Sequence, residues 1–112
     1  MTVGELASAL DLEVLTGEVS LCEEVKYGYT SDLLSDVIAN AQENSVWITV
    51  QRHINILGVA TLKNIVAIIT PRSLKVDKEL IERARAEKVA LLRSALPAFE
   101  VSGALYEMLK KA

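Results

Sequence analysis

Ile65-Val66-Ala67-Ile68-Ile69-Thr70-Pro71 is the stretch that decides the fold. Five apolar residues run without a polar break, and four of them are β-branched. Alternation would mark a strand with one wet face; an unbroken run suits a strand buried on both faces, as in the middle of a parallel sheet. Pro71 stops the run, because it cannot donate to a ladder. Downstream, Asp77 opens a charged helix over 78–88 with Leu80, Ile81 and Ala84 as its inward stripe. Val89 to Leu92 reads as a short strand ended by Arg93-Ser94. A last helix starts near Pro97, with Phe99, Val101, Leu105 and Leu109 among its apolar positions and Lys110 and Lys111 at its dipole-favoured end.

Upstream, residues 54–62 read as a compact helix or turn in which Gly58 permits close packing, and Ser45 to Val50, with Trp47, as a strand. Ser31 and Asp32 open a helix whose apolar positions are Leu33, Leu34, Val37, Ile38 and Ala41. Val25, Tyr27 and Tyr29 alternate with Lys26 and Gly28 in an extended piece. Leu12, Val14 and Leu15 form a short strand ended by Thr16-Gly17-Glu18. Thr2 and Glu5 have capping-box spacing ahead of a helix over 3–10. Strands alternating with helices predict an α/β fold of three layers: a mostly parallel sheet of about four to five strands with helices on both faces.

The sequence of 112 residues is 51% hydrophobic and 24% charged, the profile of one globular domain over residues 1–112. Trp47, Tyr27, Tyr29, Tyr106 and Phe99 are the only aromatics, so the core is aliphatic. Arg52, His53 and Lys63 interrupt the longest apolar region, and no stretch approaches the ~18 apolar residues of a membrane helix. Residues 1–5 carry neither a basic nor an apolar leader segment, which predicts a cytoplasmic protein. A lone Cys22 excludes an internal disulfide, and a lone His53 argues against a His/Cys metal cluster. Net charge is −3, which gives no general attraction for nucleic acid, and aromatic stacking partners are scarce. The acidic residues concentrate before position 52 and the basic ones after it, a polarity that favours self-association or steers an anion to one side unless the halves mix in space.

Open parallel sheets bind ligands outside the carboxyl ends of their strands. Four segments qualify: Gly28-Tyr29-Thr30-Ser31-Asp32, Gln51-Arg52-His53-Ile54-Asn55, Thr70-Pro71-Arg72-Ser73 and Arg93-Ser94. They hold three of the chain's five arginines. Guanidinium groups converging with free helix N–H donors make an anion site; the competing reading is that these charges face water or pair with Asp32 and Asp36. The candidate ligand-binding residues are therefore Tyr29, Thr30, Ser31, Asp32, Gln51, Arg52, His53, Asn55, Thr70, Arg72 and Arg93. No glycine-rich dinucleotide turn or Walker lysine occurs, so a nucleotide would be an effector held by loops, and no cofactor is implied. His53 with Ser31 or Ser73 and Asp32 can be drawn as a nucleophilic triad, and Cys22–His53 as a dyad, but no nucleophile elbow supports either. Asp32 and Asp36 lie four apart, as a water-mediated Mg²⁺ pair or simply as a solvated first turn.

Together these segments resemble a DRTGG domain over nearly the whole chain. The resemblance is strongest in Gly28-Tyr29-Thr30-Ser31-Asp32-Leu33-Leu34-Ser35-Asp36-Val37 and Thr49-Val50-Gln51-Arg52-His53-Ile54-Asn55. It continues in Ile68-Ile69-Thr70 with Asp77, then Ala98-Phe99-Glu100 with Gly103 and Tyr106. The string Asp-Arg-Thr-Gly-Gly itself is absent, and Gly28 to Asp32 stands at the corresponding turn. The pattern is similar to short stand-alone members, whose relatives are regulatory segments of phosphotransacetylases and CBS-containing pyrophosphatases, with a related fold in the N-terminal domain of HPr kinase/phosphorylase. It implies a self-pairing α/β domain that acts by binding, near adenine nucleotides in the pyrophosphatases.

The leading expectation is thus a non-catalytic regulatory homodimer that senses an adenine nucleotide or another phosphorylated small molecule. A protein-binding adaptor docked on a partner enzyme through the last helix, with Phe99, Tyr106 and Leu109, and through the helix over 3–10 is the alternative, and a small hydrolase or transferase using His53 and Asp32 the remote one.

Overall fold

The computed structural model describes residues 1–111. Ten elements follow in order: α1 (Val3–Ala9), β1 (Glu13–Val14), β2 (Tyr27–Thr30), α2 (Leu34–Asn40), β3 (Ser45–Ile48), α3 (Asn55–Lys63), β4 (Ala67–Thr70), α4 (Lys78–Ala86), β5 (Ala90–Arg93) and α5 (Ala98–Lys111). The strands form one sheet in the order β1-β5-β4-β3-β2. β2 through β5 are mutually parallel, and β1 pairs antiparallel with β5. The apolar run is the sheet's centre, as its composition demands: β4 lies between β3 and β5, and each of its four residues is buried.

Because β2, β3, β4 and β5 are spatial neighbours in chain order, each crossover turns the same way, and right-handed connections place α2, α3 and α4 on one face. Trp47 and Ile68 point to that face, against Val37, Ile56, Leu57, Leu80 and Ala84. Val46, Ile48, Ile69 and Leu92 point to the other, against Val3 and Leu6 of α1 and Val101 and Leu105 of α5. Three layers result, with an aliphatic core on both sides of the sheet.

Local chemistry sets the helix ends. Thr2 and Glu5 form the capping box expected of them. Two expectations are corrected. Helix α2 is preceded by Leu33 as its N-cap, because Ser31 turns its hydroxyl onto Leu33 N and Asp32 bonds elsewhere. Asp77 does occupy the N-cap of α4, but its side chain makes no cap hydrogen bond. That helix closes at Ala86, earlier than its charged pattern suggests. Lys88 adopts a left-handed φ of 60°, and Val89 N reaches back to Ala84 O at 3.0 Å. A side chain is disfavoured in that conformation, so Lys88→Gly is expected to stabilise the protein by about 0.5–1 kcal/mol, read as a higher urea midpoint.

Candidate functional site

The carboxyl ends of β3, β4 and β5 open onto a shared rim, and its builder is Asp32. Its Oδ1 accepts from Thr49 Oγ1 and from Val50 N, both at 2.9 Å. Gln51 Nε2 donates to Asp32 O at 2.9 Å, and Gln51 N donates to Thr49 Oγ1 at 3.1 Å. The segment leaving β3 is thereby tied to the segment leaving β2. Two arginines then grip the connection from β4 to α4. Arg52 Nη1 donates to Lys75 O at 2.7 Å and Arg93 Nη1 to Leu74 O at 3.3 Å, so the guanidinium groups hold adjacent carbonyls. Arg72 N and Ser73 N pair with Leu96 O and Ser94 O, and both residues carry left-handed φ values, 56° and 50°.

Between these loops lies a cleft of about 450 Å³ lined by Val50, Gln51, Arg52, His53, Lys75 and Asp77. A smaller hollow of about 170 Å³, which shares Arg52, His53 and Asp77, adds Glu79 and Leu80. His53 Nδ1 accepts from Asn55 N at 3.2 Å, which leaves Nε2 as the ring's donor in the neutral form. The cleft thus brings Arg52, Lys75, an imidazole N–H and the Asp77 carboxylate into one lining.

Several candidate residues lie elsewhere. Thr30 Oγ1 meets Ser102 Oγ at 2.8 Å on α5, across the sheet from the helices α2 to α4. Thr70 is 1% exposed, and its hydroxyl has no partner among the described residues. Arg93 spends Nε and Nη2 on Glu13 Oε1 at 2.9 and 2.8 Å, which neutralises it. Arg72 is exposed and makes no side-chain hydrogen bond or ion pair among the described residues. Ser31 O takes Trp47 Nε1 at 2.8 Å. The expected free donors at the start of α3 are not free: Asn55 N, Ile56 N and Leu57 N bond His53 Nδ1, His53 O and Ile54 O. The rim also contains Lys75 and Asp77, which sequence reasoning did not place there; a lysine soon after the proline that ends a central strand was the available signal. Asp32 and His53 have separate partners, so the drawn triad is not assembled, and no group of three His, Cys, Asp or Glu among the described residues could hold a metal ion.

Tyr29 and Asp36 form a second network beside the rim. Tyr29 donates its hydroxyl to Asp36 Oδ1 at 2.8 Å, and Asn40 Nδ2 donates to the same oxygen at 2.9 Å. Hydrogen bonds from the Ser31 hydroxyl, then Tyr29 and Asn40, hold the Asp36 carboxyl below its ordinary range, and the Asp36 carboxylate in turn raises the Tyr29 phenol. A lowered folded value means that the Asp36 contribution is present above the ordinary carboxylate value and is lost as pH falls through the folded one. Tyr29→Phe is therefore expected to raise the Asp36 titration midpoint in carboxyl NMR and to make the acid unfolding curve less steep.

The chain matches no family model, and no curated protein matches it by sequence. By shape it is similar to the crystal structure of the CBS and DRTGG domains of the regulatory region of Clostridium perfringens pyrophosphatase, complexed with its activator, diadenosine tetraphosphate. The TM-score is 0.70 at 15% identity, over 90% of this chain. The chain shares its fold with a CBS and DRTGG regulatory region. It spans 44% of that structure's length, and at this identity the likeness is one of fold.

Proposed function

We propose that this chain is a regulatory domain of the DRTGG type, without chemistry of its own, that works as a homodimer and senses an anionic small molecule, an adenine nucleotide or another phosphorylated metabolite. The observation that carries the reading is the cleft in which Gln51, Arg52, His53 and Lys75 converge. Its volume suits a small ligand. Its chemistry suits a nucleoside phosphate better than a bare phosphate: the cations meet the phosphate, and Asp77 accepts from a ribose hydroxyl or an amino group. The fold likeness to a region that binds a dinucleoside polyphosphate supports the same class of ligand.

Thermal shift and calorimetry with a panel of adenine nucleotides test it. A ligand present at ~100 times its dissociation constant adds about 2.7 kcal/mol of stability. Lys75→Ala is expected to weaken binding about threefold, and Lys75→Ala with Arg52→Ala about tenfold, since each removes an exposed cation that lines the cleft. Arg93→Ala is expected to leave affinity within about twofold, because its charge is already met by Glu13. Absence of any shift with every nucleotide and phosphorylated metabolite at millimolar concentration removes the sensor reading.

The groove between α2 and α3 favours a second reading, a protein-binding adaptor. Ile38 and Leu62 are exposed beside Gly58 there. A partner retained by the quadruple variant Arg52→Ala, Arg72→Ala, Lys75→Ala and Arg93→Ala supports that reading.

A further inference from the structure

The two edges of the sheet differ. β1 is two residues long, and its Glu13 is committed to Arg93, so that edge is short and charged. β2 is the opposite edge, with the uncharged sequence Tyr27-Gly28-Tyr29-Thr30. Tyr27 N and Ser31 N bond carbonyls on the β3 side, Asn44 O and Ile48 O. Alternation along the strand therefore turns the backbone groups of Gly28 and Thr30 outward. Nothing in the strand itself, neither lysine nor proline, discourages another strand from adding there.

Above this edge runs a groove of about 320 Å³ between β2 and α5, lined by Gly28, Thr30, Ile48, Ser102, Gly103 and Tyr106. Phe99 is 87% exposed and Tyr106 65% exposed, and helical spacing puts both on the side of α5 that faces the groove. Gly28 has a reason within the chain to be glycine, since a Cβ there would stand 2.8 Å from Leu105 Cδ2. Gly103 has none: a Cβ would meet nothing within 4 Å, although glycine is a poor helix former and the site is mid-helix. A residue that weakens its own helix without relieving a contact inside the chain fits a close approach from outside it.

We propose that a second copy of this chain docks here, with β2 antiparallel to β2 of the second copy across a two-fold axis and α5 lying against α5 of the second copy. Two-fold symmetry imposes the antiparallel direction. In the register that pairs Gly28 with Thr30 of the second copy, the basic flank of the strand, Lys26, comes beside the acidic flank, Asp32 of the second copy. The pairing thus satisfies the open edge, covers Phe99 and Tyr106, and matches charge of opposite sign. It rests on the self-pairing part of the proposed function and names the surface that performs it.

Sedimentation velocity from micromolar to near-millimolar concentration tests it on the whole chain. The wild type is expected to dimerise, and Phe99→Glu and Gly103→Arg each to raise the dimer dissociation constant about a hundredfold. Both positions are exposed, so circular dichroism of dilute protein is expected to be unchanged; Tyr106→Lys provides an independent disruption if either variant misfolds. Gly103→Ala separates the roles by sign. The dilute monomer should melt higher, through better helix propensity, while the dimer weakens. A wild type that stays monomeric throughout overturns the proposal together with the self-pairing reading. A dimer that withstands Phe99→Glu, Gly103→Arg and Tyr106→Lys overturns this surface alone.

Discussion

Trp47→Ala is expected to cost about 3–5 kcal/mol, a large part of the ~5–15 kcal/mol that holds a typical domain together. Trp47 is fully buried in β3 and is the largest such side chain in the protein. It packs under α2 and α3 in the core layer that includes Val37, Ile56 and Leu57, so its removal opens a cavity in that layer. The indole also closes a polar account, since Nε1 donates to Ser31 O at 2.8 Å. Trp47→Phe separates the two contributions. It keeps most of the apolar contact and leaves the Ser31 carbonyl without that donor, for a loss of roughly 1–3 kcal/mol. Urea unfolding followed by circular dichroism measures both variants. An alanine variant with a wild-type midpoint would contradict the packing described for this layer.

The strands and helices were legible because their signals are local. An unbroken Ile65–Ile69 run has few other homes than the middle of a parallel sheet, and the structure places β4 there. The three-layer α/β class followed from element order alone. Spatial strand order is a different matter. That β2 to β5 stand in chain order, so that α2, α3 and α4 share a face, depends on contacts that no period reveals. The direction of β1 is equally hidden, since two residues carry no pattern. At the candidate site, the sequence points to Gln51, Arg52 and His53 because they follow the carboxyl end of a strand, and all three line the rim cleft. It could not tell which arginine would be neutralised, because Arg93 meets a glutamate 80 positions away. Thr30 is adjacent to the rim in sequence yet faces Ser102, since neighbouring strand residues point to opposite faces. Composition marks which side chains can bind an anion; only the packing decides which of them are already occupied.

Asp32→Ala is expected to weaken binding of a nucleotide in the rim cleft by roughly ten- to thirtyfold, although Asp32 is not among the residues that line it. The carboxylate orients the chain leaving β3 by accepting from Thr49 Oγ1 and Val50 N. Thr49 is 1% exposed, and its oxygen already accepts from Gln51 N, so the alanine variant leaves a buried hydroxyl proton without an acceptor. That costs about 1–2 kcal/mol, and the segment from Gln51 to His53 relaxes to reduce it. Those three residues shift together, which is why the loss exceeds that from removing one exposed cation. Asp32→Asn is the deciding comparison. Its amide oxygen can still accept both hydrogen bonds, so a positioning role predicts nearly wild-type affinity and slow hydrogen exchange at Val50 N. A role in contacting a cation or a ligand donor through negative charge predicts instead that the asparagine and alanine variants lose affinity alike.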